Sequence, residues 1–279
     1  CDERFGTLTH DGLCVCRPGY GGNGCSQHMR ALPGIKPRVC MITLEFGTMR
    51  LGGIGSAFTQ LATFLASQGF PVQVIVAEEG GISQEHEFQE DRAFFRRQGI
   101  FIESIKGNDG LKTPNNQHHL RMAYMVYQWA RRHESECDII HYHEYFGVGF
   151  FLAKAKKEGV AFGSVTLIAQ LHGMWSWALS NQKMLRDVFA VSVTTAERRS
   201  VEDADIVVSC SQYMLDHVRS FYGAQIDPRR AYVFQNLLRN DQNMAIFGEQ
   251  RAVAIRELVF FGKTNLFKGI DVFCDAVDD

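Results

Sequence analysis

The sequence predicts an α/β fold, a doubly wound parallel sheet with helices on both faces. From residue 38 onward, short apolar runs alternate with amphipathic stretches, the signature of repeated βα units. The runs are apolar almost throughout rather than at every second residue, as befits strands covered on both faces. Four of the eight cysteines crowd into the first 25 residues, which sets a small cross-linked element apart from the large domain.

That opening segment carries Cys1, Cys14, Cys16 and Cys25 among glycines and turn residues. It is too short to bury much apolar surface, so cross-links are expected to hold it. A zinc knuckle is the competing reading, although Cys14 and Cys16 lack the Cys-x2-Cys spacing of most zinc sites. Residues 27–37, with Pro33, Gly34 and Pro37 and no periodicity, read as a linker. Strands are expected at 39–45, 72–77, 100–105, 138–142, 166–171, 206–209, 231–234 and 258–261. Helices are expected at 56–67, 84–98, 118–133, 148–158, 182–203 and 213–221. Phe58, Leu61 and Leu65 share one helical face, and Phe88 and Phe95 lie a heptad apart, so these stripes read as core. The polar, irregular stretch 240–256 reads as an interdomain connection, after which a fresh strand begins. The domains are therefore 1–26, a linker at 27–37, a large domain at 38–245, and at 246–279 the connection with the start of a further domain.

Composition narrows the function. Hydrophobic residues make up 46% and charged residues 22% of 279, ordinary values for a chain with a large core. With 29 basic against 31 acidic side chains the net charge is -2, so no long-range field gathers nucleic acid or an anionic membrane surface. No apolar run reaches the roughly 18 residues that a membrane-spanning helix requires. The first residue is a cysteine, which reads as a piece of something longer.

Four places carry candidate chemistry. Leu51-Gly52-Gly53-Ile54-Gly55-Ser56 joins the first strand to the first helix, where glycines admit close backbone approach and helix N–H groups favour an anion. A dinucleotide fingerprint needs Gly or Ala where Phe58 stands; Glu78 or Glu79 imitates its ribose-binding acid, so that reading stays open. Asp138-Ile139-Ile140-His141-Tyr142-His143-Glu144-Tyr145 runs from a strand into its C-terminal loop, where open parallel sheets bind ligands. His141, His143 and Glu144 are potential metal ligands, but alternation sends the two histidines to one face and Glu144 away; histidines merely satisfied in the core are the plainer reading. His172, followed by Gly173, ends another strand in the same way; a lone histidine there is often structural, but its place at the same edge of the sheet as the first two candidates favours function. Lys263 and Lys268 flank a strand-loop-helix start, where positive charge suits a departing diphosphate; solvated surface lysines are the alternative.

In this order the four elements resemble the retaining glycosyltransferases of the GT-B fold, the large family four type that includes glycogen and sucrose synthases. The resemblance covers residues 38–279 and implies a Rossmann-like N-terminal half that binds acceptor and a C-terminal half that binds nucleotide sugar. It implies that Gly53 and Gly55 approach the donor phosphates or sugar, that Glu144 lies near the acceptor, that His172 contacts the transferred sugar, and that Lys263 and Lys268 grip the diphosphate. No cofactor and no metal are expected, the partners being a nucleotide sugar and a hydroxyl acceptor without nucleic acid. Lys263 stands where the family has Arg, and an ammonium lacks the bidentate fork. Leu237 follows Asn236 where Gly is common, and the acidic helix motif for the donor sugar lies beyond Asp279, so this piece alone is expected to be inactive. The Cys14 to Cys25 spacing resembles the C-terminal half of an EGF-like module and implies pairing of Cys16 with Cys25. Such a module needs an oxidising compartment, so the secretory lumen or exterior is expected, with the cytoplasm as alternative. Cys40, Cys137, Cys210 and Cys274 are expected to be buried thiols. A secreted carbohydrate-binding or adhesion protein with an inactive transferase-like domain is the competing function.

Overall fold

Seven strands form one sheet in which every neighbouring pair is parallel, as the apolar runs predict. The computed structural model describes residues 6–8, 14–16, 20–21, 27–28, 36–48, 52–78, 85–106, 117–181, 187–237, 259–260 and 268–278. At the start, β1 (Gly6–Leu8) pairs antiparallel with β2 (Cys14–Cys16), and β3 (Tyr20–Gly21) with β4 (Gln27–His28). The expected Cys16–Cys25 pairing, like Cys1 and Cys14, rests on side chains outside the described residues, as does the strand expected at 258–261 but for two residues.

The large domain runs β5 (Val39–Thr43), α1 (Gly53–Ser67), β6 (Val72–Glu78), α2 (Glu85–Arg96), β7 (Ile100–Lys106), α3 (His118–Arg132), β8 (Ile139–His143), α4 (Phe150–Lys157), β9 (Thr166–Leu171), α5 (Trp175–Asn181), α6 (Val188–Glu202), β10 (Ile206–Ser209), α7 (Gln212–Phe221) and β11 (Ala231–Val233). A final helix, α8, spans Ile270–Asp278. Within the sheet the order is β11-β10-β9-β8-β5-β6-β7. The chain thus starts in the middle, winds outward through β6 and β7, then returns to the other side of β5 and winds outward again. The direction reverses between β5 and β8, and a crevice opens at the C-terminal ends of strands at such a switch point.

Strand alternation sorts the core into two layers. Val39, Met41, Val72, Val74 and Val76 pack with Phe58 and Ala62 of α1 and with Phe88 and Phe95 of α2. Cys40, Ile42, Ile75 and Ala77 face the opposite layer with Val126 and Trp129 of α3, Leu152 of α4 and Leu215 of α7. The phenylalanine stripes are therefore core, as their spacing predicts.

Two features depart from expectation. Cys40 and Cys137 are joined in a disulfide rather than being separate thiols, while Cys210 is half-buried and Cys274 exposed. The bridge follows from topology: Cys40 pairs with Ile140 across the β5–β8 ladder, which brings two cysteines 97 residues apart to a Cα separation of 5.7 Å. Arg38 and Asp138 pair at 2.8 Å beside it, so both ties lie at the bottom of the switch point, opposite the crevice. The second departure is α5, which occupies residues expected as loop. Its first amide, on Trp175, is accepted by Glu197 of α6 at 2.8 Å, so the helix start is capped from another element and leaves no local signal. The later helix begins at Val188, capped by Asp187, whose carboxylate accepts from Ala190 N at 2.8 Å.

Candidate functional site

The crevice is walled by the turn after β5, the ends of β8 and β9, and the loops that follow them. α1 has no capping side chain of its own at Gly52; instead the Glu45 carboxylate accepts from Gly52 N at 2.8 Å and Gly55 N at 3.3 Å. An acid at a helix N-terminus is favourable, and here the chain supplies it. Gly52 and Gly55 press on this side chain: a Cβ on Gly52 would lie 2.4 Å from Glu45 Oε2, and one on Gly55 2.8 Å from Glu45 Cβ. Gly53 alone among the three has open space around it. Gly55→Ala, whose Cβ would meet the fixed Cβ of Glu45, is therefore expected to cost about 1–3 kcal/mol in urea unfolding, whereas Gly53→Ala leaves stability unchanged or slightly raised.

Glu144 is fully buried at the end of β8. Its Oε1 accepts from His172 N at 2.7 Å and Gly173 N at 2.5 Å, so it fastens the loop after β9, while Oε2 has no hydrogen-bond partner. Burial pushes its pKa up to about 7, the amides of Gly173 and His172 pulling the other way. His141 and His143 share a face, as alternation predicts, and with His172 they surround the ring of Phe58, at centroid distances of 5.4, 5.6 and 5.7 Å. Burial holds all three imidazoles neutral at pH 7, with pKa values lowered to about 4 for His141 and His172 and about 3 for His143. His143 Nε2 accepts from Leu44 N at 3.3 Å, which ties β8 to the turn after β5. Among the described residues no three His, Cys, Asp or Glu side chains gather in a way suited to a metal ion.

A second buried carboxylate completes the wall. Glu197 accepts from Phe146 N at 3.0 Å and Trp175 N at 2.8 Å, joining the loop after β8 to the start of α5. Burial, with the nearby Glu144 charge, raises its pKa well above the usual carboxylate range.

The structure thus links two sequence candidates from separate βα units, Glu144 and His172, through the Glu144 bonds to the 172–173 backbone, and sets the His172 ring beside Phe58 on α1, the helix that Gly53 begins. Phe58, which displaces the small residue of a dinucleotide fingerprint, is the buried ring that His141, His143 and His172 surround. Lys268 is exposed just before α8. Lys263 and the Glu78 and Glu79 side chains lie outside the described residues. Sequence reasoning missed Glu45 and Glu197. Glu197 had a signal, for it stands midway between Val193 and Val201 at four-residue steps on the buried face of α6. Glu45 had only its place at the end of a strand, seven residues before Gly52.

Three comparisons bear on the chain. The family model described as Glycosyltransferase Family 4 matches residues 51–238, from the glycine turn to just past β11. No curated protein matches. Among solved structures, Glycyrrhiza uralensis UGT73P12 complexed with glycyrrhetinic acid 3-O-monoglucuronide is similar with a TM-score of 0.41 and 11% identity, over 71% of this chain and 48% of that one. The chain spans about half the length of that neighbour.

Proposed function

The chain belongs to glycosyltransferase family 4, and from that premise we propose that it is the acceptor-side half of an enzyme that moves a sugar from a nucleotide sugar to a hydroxyl acceptor with retention of configuration. The observation that supports the reading is the bonding of Glu144 to the 172–173 backbone at the switch point, with the His172 ring against Phe58 of α1, the helix whose glycine turn includes Gly53.

In this reading the bond from the sugar's anomeric carbon to the diphosphate breaks and a bond to the acceptor oxygen forms on the same face, the acceptor proton passing to the leaving phosphate oxygen. Gly53 offers open backbone for the donor, and neutral His172 meets the transferred sugar. Glu144, bonded to the backbone under His172, acts chiefly by holding that loop. Lys263 and Lys268 stabilise the departing diphosphate as charge develops. No metal or cofactor takes part. The Cys40–Cys137 bridge supports a secretory or extracellular location, because thiols stay reduced in the cytosol.

The full-length protein, screened against nucleotide sugars with mixed hydroxyl acceptors, is expected to release nucleoside diphosphate with at least one donor. His172→Ala and Lys268→Ala should each slow that release by about a hundredfold. Release that survives both substitutions unchanged overturns the assignment of the site.

A further inference from the structure

Five aromatic rings gather beside the crevice from four different elements. Phe146 stacks on Trp175 at 5.2 Å, and Tyr145 meets Phe146 edge-on at 4.5 Å. His118, at the start of α3, stacks on Phe189 of α6 at 5.0 Å and meets Phe146 at 5.6 Å. All five residues are half-buried, none of them closed off in the core.

Holding them there works against stability. Phe146 has φ 59 and ψ 13, a left-handed backbone that costs a phenylalanine roughly 1–2 kcal/mol. Gly147 follows at φ +63, and its missing Cβ would lie 2.5 Å from Ala196 Cβ, so the turn is pressed onto α6. There the buried Glu197 carboxyl takes the amides of Phe146 and Trp175 together. A strained residue and a desolvated acid, spent to keep rings at the mouth of a crevice, point to a role for the outer face of those rings.

The rim is polar. The Tyr145 hydroxyl lies within the field of Glu45, Glu144 and Glu197, and burial together with these charges keeps it protonated. Glu45 itself is half-buried at the same mouth. Flat apolar faces bordered by a hydroxyl and a carboxylate match a ligand with both C–H faces and hydroxyl groups, and suit a purely hydrocarbon chain poorly.

We propose that the wall of Tyr145, Phe146 and Trp175 binds the acceptor, and that the acceptor is a saccharide whose pyranose ring lies against these aromatic faces. This rests on the reading of the chain as the acceptor-side half of a glycosyltransferase. Glu197 serves it as a positioning residue, setting the wall through two backbone amides.

The test is saturation-transfer NMR on the intact protein, without donor, with maltose, cellobiose, lactose, chitobiose and mannobiose as probes and n-octanol as the apolar competitor. At least one disaccharide is expected to receive saturation at its ring C–H protons, with affinity falling roughly fivefold to tenfold in Trp175→Leu. Glu197→Gln, which keeps an acceptor oxygen for the two amides, should bind like the parent, while a folded Glu197→Ala should bind as weakly as Trp175→Leu. Silence from all five sugars, unaltered binding in Trp175→Leu, or displacement of the sugars by n-octanol each overturn the proposal. Sugar binding without transfer in the donor screen leaves the wall as a saccharide site and removes its role as an acceptor site together with the transferase reading, so the two failures are told apart.

Discussion

Replacing Cys40 and Cys137 together by alanine is expected to lower folding stability by about 4 kcal/mol, because their bridge closes a loop of 97 residues in the unfolded chain. In a domain of this size that is a fall in melting temperature of roughly 8–16 °C, to be read by calorimetry and by urea midpoint. The neighbouring Arg38–Asp138 pair is more than one-third exposed on both sides, so its removal should cost at most about 1 kcal/mol. The contrast separates a covalent tie from an ionic one at the same place in the sheet. A loss below about 1 kcal/mol in the double variant, or alkylation of both cysteines in protein never exposed to reductant, would show that the bridge does not hold β5 to β8.

Glu144→Gln is expected to stabilise the protein at alkaline pH and to leave it nearly unchanged in acid. The sign follows from proton counting. Between 4.5 and about 7 the folded protein keeps a proton on Glu144 that the unfolded chain has released, so stability falls as pH rises through this window. Each unit is worth about 1.4 kcal/mol, which makes the penalty roughly 3 kcal/mol by pH 8. Glutamine keeps an oxygen for the amides of His172 and Gly173, and its other end takes the place of an oxygen that already lacks a partner. The three histidines act in the opposite sense. Their folded pKa values lie below the usual 6.5, so the stability they contribute is complete above 6.5 and is lost as pH falls towards 4. The parent is therefore squeezed from both sides. The variant keeps the acid-side loss but declines less on the alkaline side, where Glu197 alone remains, relieved of its neighbour's charge. Urea midpoints at pH 4, 6 and 8 decide the matter: equal alkaline stability in the two proteins would mean that Glu144 is ionised in the fold without cost.

Both effects start from groups whose residue type was plain in the sequence and whose state was not. Cys40 lies in a strand that its own residues announce, Val-Cys-Met-Ile-Thr, and is buried as expected. That it meets Cys137 depends on β8 lying beside β5, an order set by the return crossing and by no residue near either cysteine. In the same way, the spacing of His141, His143 and Glu144 was enough to send the imidazoles one way and the acid the other. The ring they meet, Phe58, and the amides that Glu144 holds come from other βα units.

Local pattern alone determined the α/β class, six of the seven large-sheet strands to within a residue or so at their ends, the core stripes on α1 and α2, and the edge of the sheet where polar residues collect. Periodicity suffices for these because each is a property of neighbours along the chain, and burial on two faces demands the same apolar runs wherever a strand sits in the sheet. The tertiary structure decided the Cys40–Cys137 bridge, the start of α5, the occupation of the α1 N-terminus by Glu45 and the joining of two loops by Glu197. In each of these a polar or reactive group finds its partner on another element, at a distance set by strand order and crossover rather than by separation in the chain. Buried donors and acceptors must be matched somewhere, but only the assembled sheet specifies where.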